Sequence, residues 1–424
     1  MKKRFIAAIA FGIAGVVAGV ASSQSAKVKV TVLGTLKPEI APEFLDAIKT
    51  YNASQGKYEV VSIPLDTNPS EKMTALYASG NAPTIMGMSQ EFPRFQKNLL
   101  DVTNADFNKR AFKGTRDFVT VGGKVYGMAL TVEAFGLLYN KGVLDKATGS
   151  NFDPNSINTR SSLRNLLTKV AASGVAGSHI SPMDWSLGAH MTNKFFSSQS
   201  SNRNTRLKFI ENLKAGQVNL LSNRVFTGWV ETLDMLREFN QNKASPLAAN
   251  YDDGALAIGT GKAGVWFMGN WANPNLLQIN AKNEYGVLPF PISDTASSYG
   301  NKQISVGVPF YMVIDASQSS KEEQTGAIDF LNWFVFDKAG QDYYINKMKF
   351  IPVFDTFKTK PNDPMSRQIL SYVEQVRTLE WMNSLYPPEA QVVMGAAIQK
   401  YLAGKSDRAG LAKEIEAFWK SVKK

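Results

Sequence analysis

The sequence of 424 residues contains no cysteine and only two histidines, His179 and His190. Without cysteine there are no disulfides, no thiolate metal ligands and no lipid carried on a cysteine, so stability rests on core packing. Two histidines cannot readily assemble a zinc centre of the usual His and Cys ligands, and neither stands in a GxSxG or HExxH context. Both are read as ordinary polar or core residues. An arginine-rich tract is also absent: the formal charge is +11, but the basic residues are spread along the chain among acidic ones. Nucleic acid is therefore not an expected partner. Beyond the N-terminal segment no apolar run approaches the ~20 residues a membrane-spanning helix needs. No metal and no cofactor is expected.

What the chain does have begins at its start. Residues 1–25 combine Lys2, Lys3 and Arg4 with an uncharged apolar run over 5–20 and small polar residues after it. This is the pattern of a cleavable secretory signal peptide, which implies a periplasmic or otherwise exported protein. The remaining length favours two domains over one, and 44% hydrophobic residues suffice for a sizeable core in each.

Periodicity then gives an alternating order. Residues 27–33 alternate Lys or Thr with Val as a strand, and Ala41, Phe44, Leu45 and Ile48 follow at helical spacing. A strand over 58–63, a helix opened by Asn68 and Pro69, and a short apolar strand over 85–88 come next. This β-α-β-α-β order predicts a parallel sheet covered by helices. Further on, helical spacing recurs near 226–239, strands are expected at 265–268 and 285–290, and Ser320 with Glu323 forms a capping box ahead of an apolar helical face. Leu411, Ile415, Phe418, Trp419 and Val422 mark a closing helix, and the Ser- and Asn-rich residues 197–205 read as a surface loop.

Gly259, Gly261 and Gly264 match the spacing GxGxxG of dinucleotide sites, but the order of elements is wrong. That motif needs a strand before it and a helix N-terminus after it. Here a helical stretch precedes the glycines and a strand follows, so a helix cap and tight turn is the better reading. Paired carboxylates for glycoside hydrolysis remain possible on composition, although no pair is singled out.

The seven tryptophans discriminate more. Trp229, Trp333 and Trp419 fall on apolar helical faces and Trp266 lies within a strand, so core packing explains them. Trp271 follows a strand end, where open α/β sheets place ligands. Trp185, beside Asp184, and Trp381, near Asn383, lie in loop-like segments with polar neighbours. Rings beside carboxylates and amides suit a sugar, whose flat C–H face stacks while its hydroxyls need hydrogen-bond partners.

Several segments together carry a resemblance: MTALYASGNAP at 73–83, NLLDVT at 98–103, VGGKVYG at 121–127, LLYNK at 137–141, IGTGKAGVWFMGNW at 258–271, YGVLP at 285–289, and AIDFL at 327–331 followed by Ile351 and Pro352. In this order and spacing the chain resembles family 1 extracellular solute-binding proteins, the carbohydrate-binding components of ABC importers in the maltose-binding-protein class. Thr84 stands where that family usually has Asp. The resemblance implies an α/β fold of the two-lobed periplasmic-binding-protein type, class II, with a hinge crossed about three times, near 131–135, 288–292 and 337–342. Lobe one would comprise 26–132 plus 292–338, and lobe two 133–291 plus 339–424. The ligand would sit between the lobes, touched by Thr35, Lys37, Ser89, Gln90, Glu133, Asp184, Trp185, Asn270, Trp271, Trp381 and Asn383. The implied partners are a sugar, an oligosaccharide above all, and a membrane-embedded ABC permease, with the protein itself a non-enzymatic monomer. Two other readings stay open: a secreted glycosidase or polysaccharide lyase, and a receptor for a non-sugar solute such as a polyamine or metal ion.

Overall fold

A computed structural model of the protein describes residues 26–34, 40–66, 68–112, 114–387 and 389–422. The expected export segment and the candidates Thr35 and Lys37 lie outside the described residues.

The alternating pattern at the start forms strand β1 (Val28–Leu33), which buries Val30 and Val32 completely. Strands β2 (Tyr58–Ile63) and β3 (Ile85–Met88) pair parallel to it on either edge, joined through the helices Ala41–Ser54 and Pro69–Ala78. The second helix starts as its sequence demands, with the Asn68 side chain accepting from the Ser70 N–H and Pro69 in the first turn. Two antiparallel strands complete this sheet: β4 (Met128–Ala129) and, later in the chain, Tyr311–Ile314.

The second sheet is organised around the eight-residue strand β5 (Glu133–Asn140), every residue of which is buried. Around it lie β6 (Ala176–His179), β7 (Ala263–Gly269), β8 (Tyr285–Leu288), β9 (Ile304–Gly307), and, after β10 (Tyr311–Ile314) of the first sheet, β11 (Thr378–Leu379). The strand orders are β2-β1-β3-β10-β4 and β11-β9-β5-β7-β6, with β8 pairing the C-terminal half of β5. Each sheet has its own hydrophobic core. The capping box at Ser320 and Glu323 is present, opening the helix Lys321–Phe336 over the first core. The GxGxxG stretch is a helix end, with Gly261 left-handed at φ +74 just before β7. The loop expected at 197–205 is shorter, because Ser197 and Ser198 are buried against the second core and a helix starts at Arg203.

The chain passes between the sheets three times. It leaves β4 at Ala129 and enters β5 at Glu133; here Thr131 Oγ1 accepts from the Ile351 N–H at 3.0 Å. The second passage is at 308–310, between β9 and β10, rather than near 288–292. The prolines that close β8 do not release the chain, because Pro291 O accepts from Thr232 Oγ1 at 2.6 Å and β9 then pairs with β5. Residues 292–307 thus belong with the second sheet. The third passage lies between Phe357 and Met365, not at 337–342, since Tyr344, Ile345, Met348, Phe350, Val353 and Phe354 all pack into the first core. Residues 339–357 accordingly stay with the first lobe.

Candidate functional site

Strand register builds one row of residues across the end of the second sheet that faces the first. Phe135 pairs with Gly269 in the antiparallel β5·β7 ladder, so Glu133 comes opposite Trp271, just past the end of β7. On the other side Glu133 pairs with Gly307, and the parallel β9·β11 register brings Trp381 beside Gly307. Neighbouring strands lie about 4.8 Å apart. Trp381, Gly307, Glu133 and Trp271 therefore form a short line at the sheet end, two indoles flanking one carboxylate.

The glycines in this row make space for the indoles. A Cβ at Gly307 would lie 2.4 Å from Trp381 Cγ, and a Cβ at Gly269 would lie 2.0 Å from Trp271 Cζ3. Each indole thus folds over a backbone that only glycine supplies at that distance.

A third wall comes from a π-helix, Trp185–Met191. Its hydrogen bonds run i to i+5, a wide turn that is frequent at functional sites. The widened turn sets Trp185, Ala189 and His190 on one cavity-facing side. The helix Ala390–Leu402 packs against the π-helix so tightly that a Cβ at Gly188 would reach Gln391 O at 1.9 Å. His190 becomes the centre of an aromatic floor, 4.6 Å from Phe135, 5.1 Å from Trp271, 5.4 Å from Trp185 and 5.9 Å from Trp381 between ring centroids.

These groups line a cavity of about 580 Å³ between the lobes, within the range of small-molecule sites. The second lobe contributes Glu133, Trp185, His190, Tyr251, Trp271, Trp381, Asn383, Ser384 and Gln391; the first contributes Ser89 and Gln90, at the C-terminal end of β3, and Phe310, with Val308 and Pro309 in the hinge. Among the described residues Glu133 is the only Asp, Glu, Lys or Arg side chain in that lining. It is buried, at 6% exposure. The arrangement can clasp a flat-faced ligand between rings and accept or donate hydrogen bonds around its edge.

Seven of the eleven sequence candidates meet in this cavity: Ser89, Gln90, Glu133, Trp185, Trp271, Trp381 and Asn383. Asn270 and Asp184 do not line it. Asn270 Oδ1 accepts from the Ala134 N–H at 2.7 Å and holds the start of β5; the side chain borders a separate chamber of about 20 Å³ behind Glu133 and Trp271. That chamber has room for one water. Asp184 lies behind the π-helix, where Oδ1 accepts from Gln399 Nε2 at 2.9 Å and the backbone abuts Gly395.

The cavity also holds residues that sequence reasoning passed over. His190 was expected in an ordinary polar or core role, and it instead lines the cavity, since the segment after Trp185, read as loop-like, is a π-helix that brings His190 beside Trp185. Tyr251 opens the helix Tyr251–Gly259 after the Asn250 cap and meets Trp185 at 6.3 Å. Its position next to a helix start in the lobe-two sequence carried a weak hint. The other histidine, His179, is buried, with Nδ1 3.0 Å from Gln241 Oε1, and burial pulls it below the usual histidine range.

The comparisons with known proteins accord with this architecture. Residues 46–368 match the family model described as bacterial extracellular solute-binding protein. The fold is similar to that of RafE in complex with raffinose, at 17% identity and a TM-score of 0.77, covering 93% of this chain and 99% of that one. The apo form of RafE, from Streptococcus pneumoniae, gives 17% identity and 0.75 over 93% and 98%. A sugar transporter protein of Bacillus licheniformis in complex with stachyose gives 15% identity and 0.71 over 93% and 99%. No curated protein sequence matches significantly. With the family match spanning most of the chain, and two α/β lobes enclosing a cavity at a triple crossing, the protein belongs to the bacterial extracellular solute-binding protein family.

Proposed function

We propose that the protein captures a neutral oligosaccharide between its lobes, closes on it by a hinge motion and delivers it as a monomer to an ABC permease. The observation that carries this reading is the cavity wall: Trp185, Trp271 and Trp381 beside the carboxylate of Glu133, with Ser89, Gln90 and Asn383 at the edge. Indoles stack on the C–H faces of sugar rings, while the carboxylate and amides take up hydroxyls. Structurally similar proteins are described with raffinose and stachyose bound, which supports the class of ligand.

Groups from both lobes border the cavity, so each lobe alone supplies an incomplete site. A ligand that contacts both binds the closed state better and shifts the hinge equilibrium towards it. Closure removes water, so a ligand that leaves a buried donor or acceptor unmatched loses about 1–3 kcal/mol. That penalty gives selectivity. A glycosidase would need a second carboxylate about 5–10 Å from the first; among the described residues Glu133 is the only one in the lining, which supports binding over hydrolysis.

A thermal-shift panel of neutral oligosaccharides, uronic-acid oligosaccharides and polyamines tests the proposal. A neutral oligosaccharide at one hundred times its Kd should stabilise by about 2.7 kcal/mol, with no new reducing ends on prolonged incubation. Stabilisation by polyamines or acidic sugars alone would refute it.

A further inference from the structure

We propose that Asn193, which does not line the cavity, is a positioning residue that fixes the two aromatic walls of the cleft relative to one another. The inference rests on the oligosaccharide reading only for its ligand-binding consequence.

Asn193 sits on the short helix Thr192–Ser197, which continues directly from the π-helix bearing Trp185 and His190. It is fully buried, and its carboxamide makes three hydrogen bonds to two other segments of the chain. Oδ1 accepts from the Asn383 N–H at 3.2 Å, while Nδ2 donates to Glu380 O at 3.2 Å and to Ser305 Oγ at 3.1 Å. Two of these contacts bracket Trp381, one residue before it and two after. The third holds β9, whose Gly307 lies under the Trp381 ring.

This matters because the Trp381 indole has no hydrogen-bond anchor of its own: its Nε1 has no partner among the described residues. The ring is oriented by the backbone that carries it and by the glycine surface beneath. From the outside that backbone is held by Glu380, whose carboxylate takes Arg203 Nε at 2.8 Å and the guanidinium of buried Arg206. From the inside the anchor is Asn193. One carboxamide thus joins the π-helix wall to the Trp381 wall and sets the 5.9 Å spacing between the His190 and Trp381 rings. A merely structural asparagine has no such geometry. Asn140, equally buried in the same lobe at the far end of β5, caps a helix and donates to Ile258 O at 3.0 Å.

The test compares Asn193→Ala with Asn140→Ala in protein labelled with 5-fluorotryptophan, observed by fluorine NMR without ligand. The Trp381 resonance is assigned by its loss in Trp381→Phe. Asn193→Ala should shift or broaden that resonance and leave that of Trp333, in the other lobe, in place; Asn140→Ala should leave both. Calorimetry with raffinose and stachyose should show at least tenfold weaker binding for Asn193→Ala and less than twofold change for Asn140→Ala. If Asn193→Ala does not fold, Asn193→Asp is read in the same way, because it keeps the acceptor for Asn383 and loses the donor to Glu380. An unmoved Trp381 resonance in a folded variant overturns the proposal, as does an equal shift from Asn140→Ala. If the wild type binds neither sugar, the choice of ligand fails, and the ligand-free resonance alone decides the role of Asn193.

Discussion

Adding one methyl group at Gly269 should disable the cleft without replacing any ligand-facing side chain. The backbone there is extended, with φ −110 and ψ 169, so alanine meets no conformational penalty. The obstacle is steric. A Cβ at this position would lie 2.0, 2.2 and 2.4 Å from Cζ3, Cη2 and Cε3 of Trp271, well inside contact distance. The indole cannot retreat easily, because Phe135, Trp185 and His190 surround it at centroid distances of 6.5, 6.1 and 5.1 Å. If the ring stays, overpacking costs about 1–3 kcal/mol of stability; if it swings into the cavity, it occupies space meant for ligand. Either way Gly269→Ala should weaken oligosaccharide binding at least tenfold, about 1.4 kcal/mol. Calorimetry gives the affinity and urea unfolding the stability. Trp271→Ala should weaken binding by a similar factor, and in the Trp271→Ala background the Gly269→Ala change should do almost nothing more, since both act on one ring. Wild-type affinity in Gly269→Ala, or losses that add in the double variant, would refute the steric reasoning.

Three further outcomes follow from other parts of the molecule. Glu133→Gln should weaken ligand binding severalfold in calorimetry, because hydrogen bonds to a carboxylate are roughly twice as strong as neutral ones; unchanged affinity would leave Glu133 only a hinge residue. Burial pushes Lys194 down to about 7 from its usual 10.5, its ammonium meeting the backbone carbonyls of Gln303, at 3.3 Å, and Gly300. The unfolded chain keeps that proton across the interval, so from pH 7 upward wild-type stability should gain on that of Lys194→Met by up to about 1.4 kcal/mol per pH unit. Parallel pH profiles in urea unfolding would contradict this. Val376 is left-handed, at φ 55, and 83% exposed at the end of the helix Pro364–Glu374. Since β-branched side chains are strained there and glycine is not, Val376→Gly should stabilise by about 1 kcal/mol, and a lower melting temperature would count against it.

Much of the fold was legible because the local rules agree with it. Val at alternate positions of 28–33, Asn68 with Pro69, and Ser320 with Glu323 each specify their element without help from tertiary contacts. Trp271 was legible for the same reason, as an aromatic residue directly after a buried strand. The crossings were not. Pro289 and Pro291 end β8 convincingly, and only the pairing of β9 with β5 keeps the following residues on the second sheet. His190 was hidden because the segment around Trp185 reads as loop-like, whereas it forms a π-turn that carries His190 to the same side as Trp185. Asp184 and Asn270 looked functional beside tryptophans, but the Gln399 side chain and the Ala134 N–H engage them.

A crystal structure of the protein with an oligosaccharide drawn from the thermal panel is the most direct test. The sugar should lie in the 580 Å³ cavity with rings against Trp271 and Trp381, a hydroxyl on Glu133, and contacts from Ser89 or Gln90 of the opposite lobe. A ligand held by one lobe alone, or lying away from these indoles, would contradict capture between the lobes.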